Sequence, residues 1–306
     1  VAARHLTDRG VVVRVAALAE PKSDAAKWAR SEWKGEVEQL GETTKSSLIL
    51  IDALFGTGLK KGLETSLAQR LFELARDAKI RIACDVPSGA DSDTGAELSA
   101  VPAFDMTVTF GALKPGHLLF PAMHNCGRIV TAHIGIDATS EWHEIAAPRP
   151  PALKPAGHKF SRGLVHVLAG KMPGAIALAA HAAARTGAGY VRVSTSRSID
   201  GLPASIVQTD TAEINDERIG CLLVGPGMGD IPQVLTLALT SRAPKVIDAD
   251  AITHLGEPQR LRGQDAILTP HQGEFERLFG RLEGSKADRA LDAARQVGAE
   301  IVCQGP

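Results

Sequence analysis

Aromatic side chains are scarce in this 306-residue chain: one Tyr, three Trp and eight Phe. Proteins that grip single-stranded nucleic acid stack bases on aromatic platforms inside a basic groove. Charge supplies no such groove, because 34 basic residues face 35 acidic ones for a net charge of -1. Nucleic acid is therefore not an expected partner. Cysteine is equally sparse. Cys84, Cys126, Cys221 and Cys303 are scattered without paired ligand spacing, which argues against a disulfide framework or a zinc knuckle and leaves buried free thiols. No apolar run approaches the roughly 20 residues of a membrane helix. The opening VAARHLTDRG lacks the basic region and apolar run of a secretory signal. No membrane association is expected, and the expected location is cytoplasmic.

What the chain has is glycine, 30 residues of it, with ordinary hydrophobic content at 44%. That balance excludes wholesale disorder and suits close backbone approach to a ligand. The length favours two domains. A proline-rich stretch, AAPRPPALKPAG at 146–157, removes backbone donors and disfavours helix, so it is expected to be a linker. The expected organisation is a first domain over 1–146, a linker over 147–157 and a second domain over 158–306.

On both sides of the linker, short β-branched runs alternate with helical ones. In the first half the expected strands are 11–18, 48–51, 80–84, 106–110 and 128–134, with helical character over 22–40 and 64–78. In the second half they are 164–170, 190–194, 221–225, 245–248, 266–269 and 300–303, with helices over 175–186, 231–241 and 286–297. Helices separating nearly continuous apolar strands imply largely parallel sheets covered on both faces.

In such sheets ligands sit beyond the carboxyl ends of the strands. Three segments of the first half fit. In IDALFGTGLKKG at 51–62, Asp52 ends a strand, and Gly56, Gly58 and Gly62 either turn amides toward a phosphate or form a plain turn. In CDVPSG at 84–89, Asp85 is either a general acid or base or a turn cap, and Ser88 offers a hydroxyl and a carbonyl to a ligand or cation. In TFGALKPG at 109–116, Lys114 either neutralises phosphate or is a solvated loop lysine.

Together, DALFGTGL, CDVPSG with GADSDTG, and TFGALKPG resemble the epimerase domain of the NAD(P)H-hydrate repair enzymes. In the second half, HKFSRG at 158–163, RTGAGYV at 185–191, VGPGMG at 224–229, DAD at 248–250 and TPHQGEFERLFG at 269–280 resemble the dehydratase partner of the same enzymes. The resemblance implies two three-layer α/β/α domains, the first Rossmann-like and the second ribokinase-like. It implies a multifunctional metabolite-repair enzyme, isomerase and lyase, acting on NADH and NADPH hydrates as a homo-oligomer. Asp52 and Ser88 would help hold a potassium ion. Gly56, Thr57, Gly58, Leu59, Lys60, Lys61 and Gly62 would contact the dinucleotide, with Asp85 at the damaged ring. Ala188, Gly227 and His271 would line the second pocket. Gln304 and Gly305 stand where the family has a Lys-Gly pair beginning its ADP site, and magnesium would accompany the ADP. The family's GNNGGDG loop, upstream of the VAARHL segment, and its GTGD loop, farther on, lie outside these 306 residues. Two other readings stay open: a ribokinase-like kinase of a small alcohol, and a noncatalytic dinucleotide-binding module.

Overall fold

The computed structural model describes residues 1–149, 152 and 155–305. The chain divides into two compact units, Val1–Glu144 and Ile145–Gly305. Within the expected linker, Pro150, Pro151, Leu153 and Lys154 lie outside the described residues.

The first unit runs α1 (Ala2–Asp8), β1 (Val15–Ala17), α2 (Asp24–Ser31), β2 (Val37–Gln39), β3 (Ile49–Asp52), α3 (Thr65–Asp77), β4 (Ile80–Cys84), β5 (Met106–Phe110) and β6 (Arg128–Ala132). These strands pair in parallel, in two sheets, β1-β2 and β3-β4-β5-β6. Two expectations are corrected. The strand over 11–18 shrinks to β1, because only Val15 to Ala17 find ladder partners on β2. The helix over 22–40 stops at Ser31. The Trp33 ring lies where a side chain at Gly35 would project, its indole N–H bonds the Glu36 carbonyl at 3.1 Å, and the chain leaves as β2. In α3, Ala68, Leu71, Leu74 and Ala75 are buried at three-to-four residue spacing, the stripe that docks a helix on a sheet.

The second unit runs β7 (Leu164–Leu168), α4 (Pro173–Arg185), β8 (Tyr190–Ser194), β9 (Ile206–Thr209), β10 (Ile219–Val224), α5 (Pro232–Thr240), β11 (Lys245–Ile247), α6 (Asp250–Leu255), β12 (Ala266–Leu268), α7 (Gln272–Phe279), α8 (Lys286–Val297) and β13 (Glu300–Ile301). Its single parallel sheet has the order β13-β12-β11-β10-β7-β8-β9. Successive strand residues face opposite sides. Val167 accordingly joins Ile176 and Ala180 of α4, while Leu168 joins a larger cluster with residues of α5, α6, α7 and α8. That is the three-layer arrangement expected. The alanine-rich α4 packs closely, and Gly187, at φ +104°, follows its end.

A polar cluster is buried in this sheet. On β7 and β8, His166 is 0% exposed, and the side chains of Arg192 and Ser194 are nearly as deep. The Arg192 guanidinium can only donate, so His166 Nδ1 accepts from it at 3.1 Å and Nε2–H donates to Ser194 Oγ at 2.8 Å. Arg192 is paired in turn with Glu213 at 3.1 Å and Asp216 at 3.2 Å, on the segment that crosses back to β10. Burial, assisted by the Arg192 charge, pushes the His166 pKa down to about 4. A ring held neutral in the fold but titrating near 6.5 when unfolded adds stability that is fully present above pH 6.5 and is lost as pH falls through about 4. The full difference is on the order of 3 kcal/mol. Urea unfolding of the second unit at about pH 7.5 and about pH 4.5, of which roughly two units fall below the unfolded-state value of 6.5, is expected to show a larger loss for wild type than for His166→Gln. Equal losses would place the acid sensitivity elsewhere.

Candidate functional site

In the first unit, the segments after β3, β4 and β5 meet at the carboxyl ends of adjacent parallel strands. Asp85 is the first residue past β4 and has φ +70°, unusual for a residue with a side chain. The Val86 N–H bonds to Cys84 O at 3.0 Å, closing a three-residue turn on Asp85, and the Asp85 N–H bonds to Val108 O at 2.7 Å. Its carboxylate Oδ1 accepts from Lys114 Nζ at 2.5 Å and from the Thr109 hydroxyl at 3.1 Å. Lys114 Nζ also reaches Thr109 Oγ1 at 2.8 Å and Phe110 O at 3.0 Å. Lys114 is thus neither a solvated loop lysine nor free to face a phosphate; it neutralises Asp85. Burial raises the Asp85 pKa, but Lys114, Thr109 and the Phe110 N–H outweigh it and hold the carboxyl below its usual range. Asp85 is therefore ionised at neutral pH and can only accept a proton.

Gly56 lies against this pair: a Cβ there would stand 3.1 Å from Asp85 Oδ2. The loop 56–62 is otherwise anchored to the segment 91–99. Ser92 Oγ donates to Thr57 O at 3.3 Å, Lys60 Nζ is bound to Asp93 at 2.9 Å, and Leu98 O fills the space a side chain at Gly62 would need. Lys60 is therefore committed to acidic neighbours. Thr57, Gly58 and Lys61 are exposed, and Leu59 is half-buried.

Asp52, at the end of β3, is 2% exposed and Ser88 1% exposed. Ser88 N–H and O–H donate to the two Asp52 carboxylate oxygens at 2.8 and 2.7 Å, Leu54 N–H donates at 3.2 Å, and Phe55 N–H donates to Ser88 Oγ at 3.0 Å. No lysine or arginine pairs with Asp52 among the described residues. Burial raises its pKa against these hydrogen bonds. A buried carboxylate without a cationic side chain among the described residues, beside the Ser88 hydroxyl, is an oxygen donor set of the kind a hard cation takes.

In the second unit the chain winds outward from β7 through β8 to β9, then returns to place β10 on the other side of β7. That reversal is a topological switch point, where open sheets of this kind form a ligand crevice. The loops past β7 and β10 close on each other there, with Met172 N–H donating to Gly227 O at 2.9 Å and Lys171 N–H to Met228 O at 3.3 Å. Gly170 packs its α-carbon against the Met228 backbone, leaving no room for a Cβ. Asp250 fixes the glycine loop by accepting from Gly229 N–H at 2.7 Å.

Gly227 and His271 both follow the carboxyl ends of their strands, β10 and β12. Ala188 does not. It precedes β8, which runs parallel to β7, so it lies at the opposite end of the sheet and packs against the cluster around Val167. The alanine beside Gly227 is Ala175, whose Cβ would lie 2.9 Å from one built at Gly227. The helical reading of 175–186 passed over it because a lone alanine in an alanine-rich helix carries no signal. His271 caps α7: its Nδ1 accepts from Gly273 N–H at 3.0 Å and Glu274 N–H at 3.4 Å, and Glu274 Oε2 accepts the His271 N–H at 3.0 Å. Nε2 stands 3.4 Å from Glu274 Oε1, with the side chain 59% exposed. Gln304 turns its amide to Thr269 O at 2.8 Å, and Lys286 Nζ binds the Gln304 and Gly305 carbonyls. Lys286, at the start of α8, thus sets its positive charge against the main chain of Gln304 and Gly305.

Two parallel α/β units, each bringing polar groups together past the carboxyl ends of its strands, have the architecture of α/β enzymes that bind ligands at those ends. Residues 1–116 match the family described as YjeF-related protein N-terminus, and residues 165–305 match NAD(P)H-hydrate dehydratase. The chain is 30% identical over 356 residues to the bifunctional NAD(P)H-hydrate repair enzyme of Thermofilum pendens, covering 100% of this chain and 68% of that one. It is 34% identical over 278 residues to the enzyme of the same name from Mycobacterium tuberculosis, covering 84% and 57%. The chain belongs to the family of bifunctional NAD(P)H-hydrate repair enzymes. A ribokinase-like superfamily protein from Enterococcus faecalis aligns at TM-score 0.44 and 24% identity over 50% of this chain and 61% of that one; the fold assignment rests on the sheet order instead. Among the described residues no helix is long and apolar enough to cross a membrane.

Proposed function

We propose that the first unit interconverts the R and S hydrates of NADH and NADPH, and that the second dehydrates the S form at the expense of ADP. The observation that carries the first half is the Asp85–Lys114 pair, held against Gly56 at the strand ends. Water adds to the dihydronicotinamide enamine at the carbon beside the ring nitrogen, which makes the product a carbinolamine. Asp85 takes the hydroxyl proton, the C–N bond breaks with its electron pair on nitrogen, and Lys114 gives that nitrogen a proton. The resulting aldehyde can rotate, and the nitrogen recloses on its other face with both protons returned. Acid–base pairs of this kind supply roughly 10²–10⁴-fold in rate.

Asp52 and Ser88 would hold potassium, whose charge would compensate Asp52 and order the turn leading to Asp85. In the second unit the switch-point crevice around Gly227 would take the S hydrate, with His271 beside it and Gln304 and Gly305 beginning the ADP site. Transfer of the β-phosphoryl group of ADP to the hydroxyl leaves AMP and a good leaving group. Phosphate then departs, assisted by the nitrogen lone pair, and loss of a proton restores the ring double bond. The described residues hold no cluster of three or more acidic, histidine or cysteine side chains for a metal. Magnesium is accordingly proposed only as an ion carried on the ADP phosphates, and no step depends on a protein site for it. The test of the first half is conversion of purified R hydrate to S by the protein without any nucleotide. Interconversion no faster than in buffer would remove it.

A further inference from the structure

We propose that His117 is a positioning residue of the epimerisation site: its two ring nitrogens fix the backbones of Asp85 and Lys114, and with them the geometry of the ion pair. The inference rests on the reading of that pair given above. His117 is 1% exposed and follows Lys114 through the short 3₁₀ turn Pro115–His117. Its Nδ1 accepts the Lys114 N–H at 3.0 Å. An amide N–H can only donate, so Nδ1 carries no proton, and the ring proton sits on Nε2. From there it donates to the Asp85 carbonyl at 2.6 Å. One neutral ring thus bridges the main chains of two residues whose side chains form the ion pair at 2.5 Å.

The Asp85 carbonyl is the group most in need of a fixed partner. Three-residue turns with a positive central φ are rare and strained, and such strain persists only where surrounding contacts over-determine it. Contacts on three separate groups hold Asp85: Val108 O on its N–H, Lys114 and Thr109 on its carboxylate and His117 on its carbonyl. The turn that carries the ring is itself anchored, because Gly116 N–H bonds to Ser92 O at 2.7 Å and the Asp91 and Ser92 backbone leaves no room for a Cβ at Gly116. His117 reaches the reaction only through Asp85 and Lys114, which is why it positions and does not react.

The two halves of the bridge are separable by substitution. In His117→Asn, Oδ1 stands near the place of Nδ1 and still accepts from Lys114, but nothing reaches Asp85 O. In His117→Gln, the side-chain amide N–H stands near the place of Nε2 and restores that donor. With the complete polypeptide and purified R hydrate, kcat is expected to fall about 10–100-fold in His117→Asn with KM little changed, as a small misplacement of reacting groups produces. His117→Gln, which keeps the Asp85 contact and gives up the Lys114 one, is expected to lose clearly less than the Asn variant. A His117→Asn enzyme with wild-type kcat, or a Gln variant as slow as the Asn variant, would overturn the proposal. Long-range ¹H–¹⁵N NMR of the wild-type ring reads the tautomer without any turnover. A proton on Nε2 with a bare Nδ1 is expected, and a proton on Nδ1 contradicts the bridge. Failure of the wild type to interconvert the hydrates would sink the epimerase reading itself, while the NMR result would still decide how the ring is used.

Discussion

Asp85→Asn is expected to slow interconversion of the R and S hydrates by about 10²-fold or more, the scale of a lost general base. The fold should survive the change. Asn is the residue with a side chain that best tolerates positive φ, so the turn at φ +70° keeps its conformation, and the amide oxygen can still accept from Lys114 and Thr109. What disappears is the charge. Because Lys114, Thr109 and Phe110 outweigh burial and keep the Asp85 carboxyl below its usual range, the wild-type base is present throughout the neutral region, and the loss should be nearly constant with pH there. Chiral chromatography of purified R hydrate measures the rate directly. A rate unchanged by the substitution would remove Asp85 from the chemistry and leave its ion pair a structural clasp.

The second large effect is expected at Gly225, the first residue of the loop past β10. Its φ is +121°, and a Cβ there would overlap the Asp248 carbonyl and lie 2.9 Å from Ala251 Cβ. Neither can retreat, since Asp248 N–H bonds to Val224 O at 3.0 Å and Ala251 is fully buried. Gly225→Ala combines strained backbone with a steric overlap against main chain, so a loss of about 4 kcal/mol or more is expected in the second unit. Gly298→Ala, at the end of α8, is the control: φ is +71° and ψ 34°, in the left-handed helical region, and nothing lies within 4 Å of the added carbon, so only the left-handed penalty of roughly 1–2 kcal/mol applies. Hydrogen exchange resolves the two units separately. Comparable protection of β10 and β11 in both variants would mean that the switch-point loop yields more easily than its packing indicates.

The parts of this architecture legible in the sequence were those with a strong local signal. Strands such as Ile80–Cys84 and Met106–Phe110 are dense runs of extended formers, and α8 carries a serine cap and a clear apolar stripe. Strand β9 escaped because IVQT is short and half polar, its Gln208 turned back to bond Ile199 at 2.7 and 3.1 Å. Helix α6 follows Ala249 at φ +46°, a start that no ordinary capping residue announces. The site divides the same way. Asp52, Asp85 and Lys114 each stand at or just past a strand end, and that placement could be read directly. Their partnership could not, because Lys114 is 29 residues from Asp85 and only parallel pairing of β4 with β5 brings them together. His117 gave no signal at all, since its role is written in the direction of two backbone groups. Ala188 stands apart from Gly227 and His271 because RTGAGYV enters a strand, and the crevice lies where strands leave.

The most direct measurement follows the rise of NADH absorbance from a mixture of purified R and S hydrates, with both epimers tracked in parallel, in the presence and absence of ADP with magnesium. With ADP, the complete protein is expected to convert both epimers fully to NADH, S directly and R after interconversion. Without ADP, the epimers should equilibrate and absorbance should stay flat. Recovery of NADH without nucleotide would contradict phosphorylation of the hydroxyl. Failure to recover NADH from either epimer with ADP present would contradict the repair function and leave a protein that binds dinucleotides without transforming them.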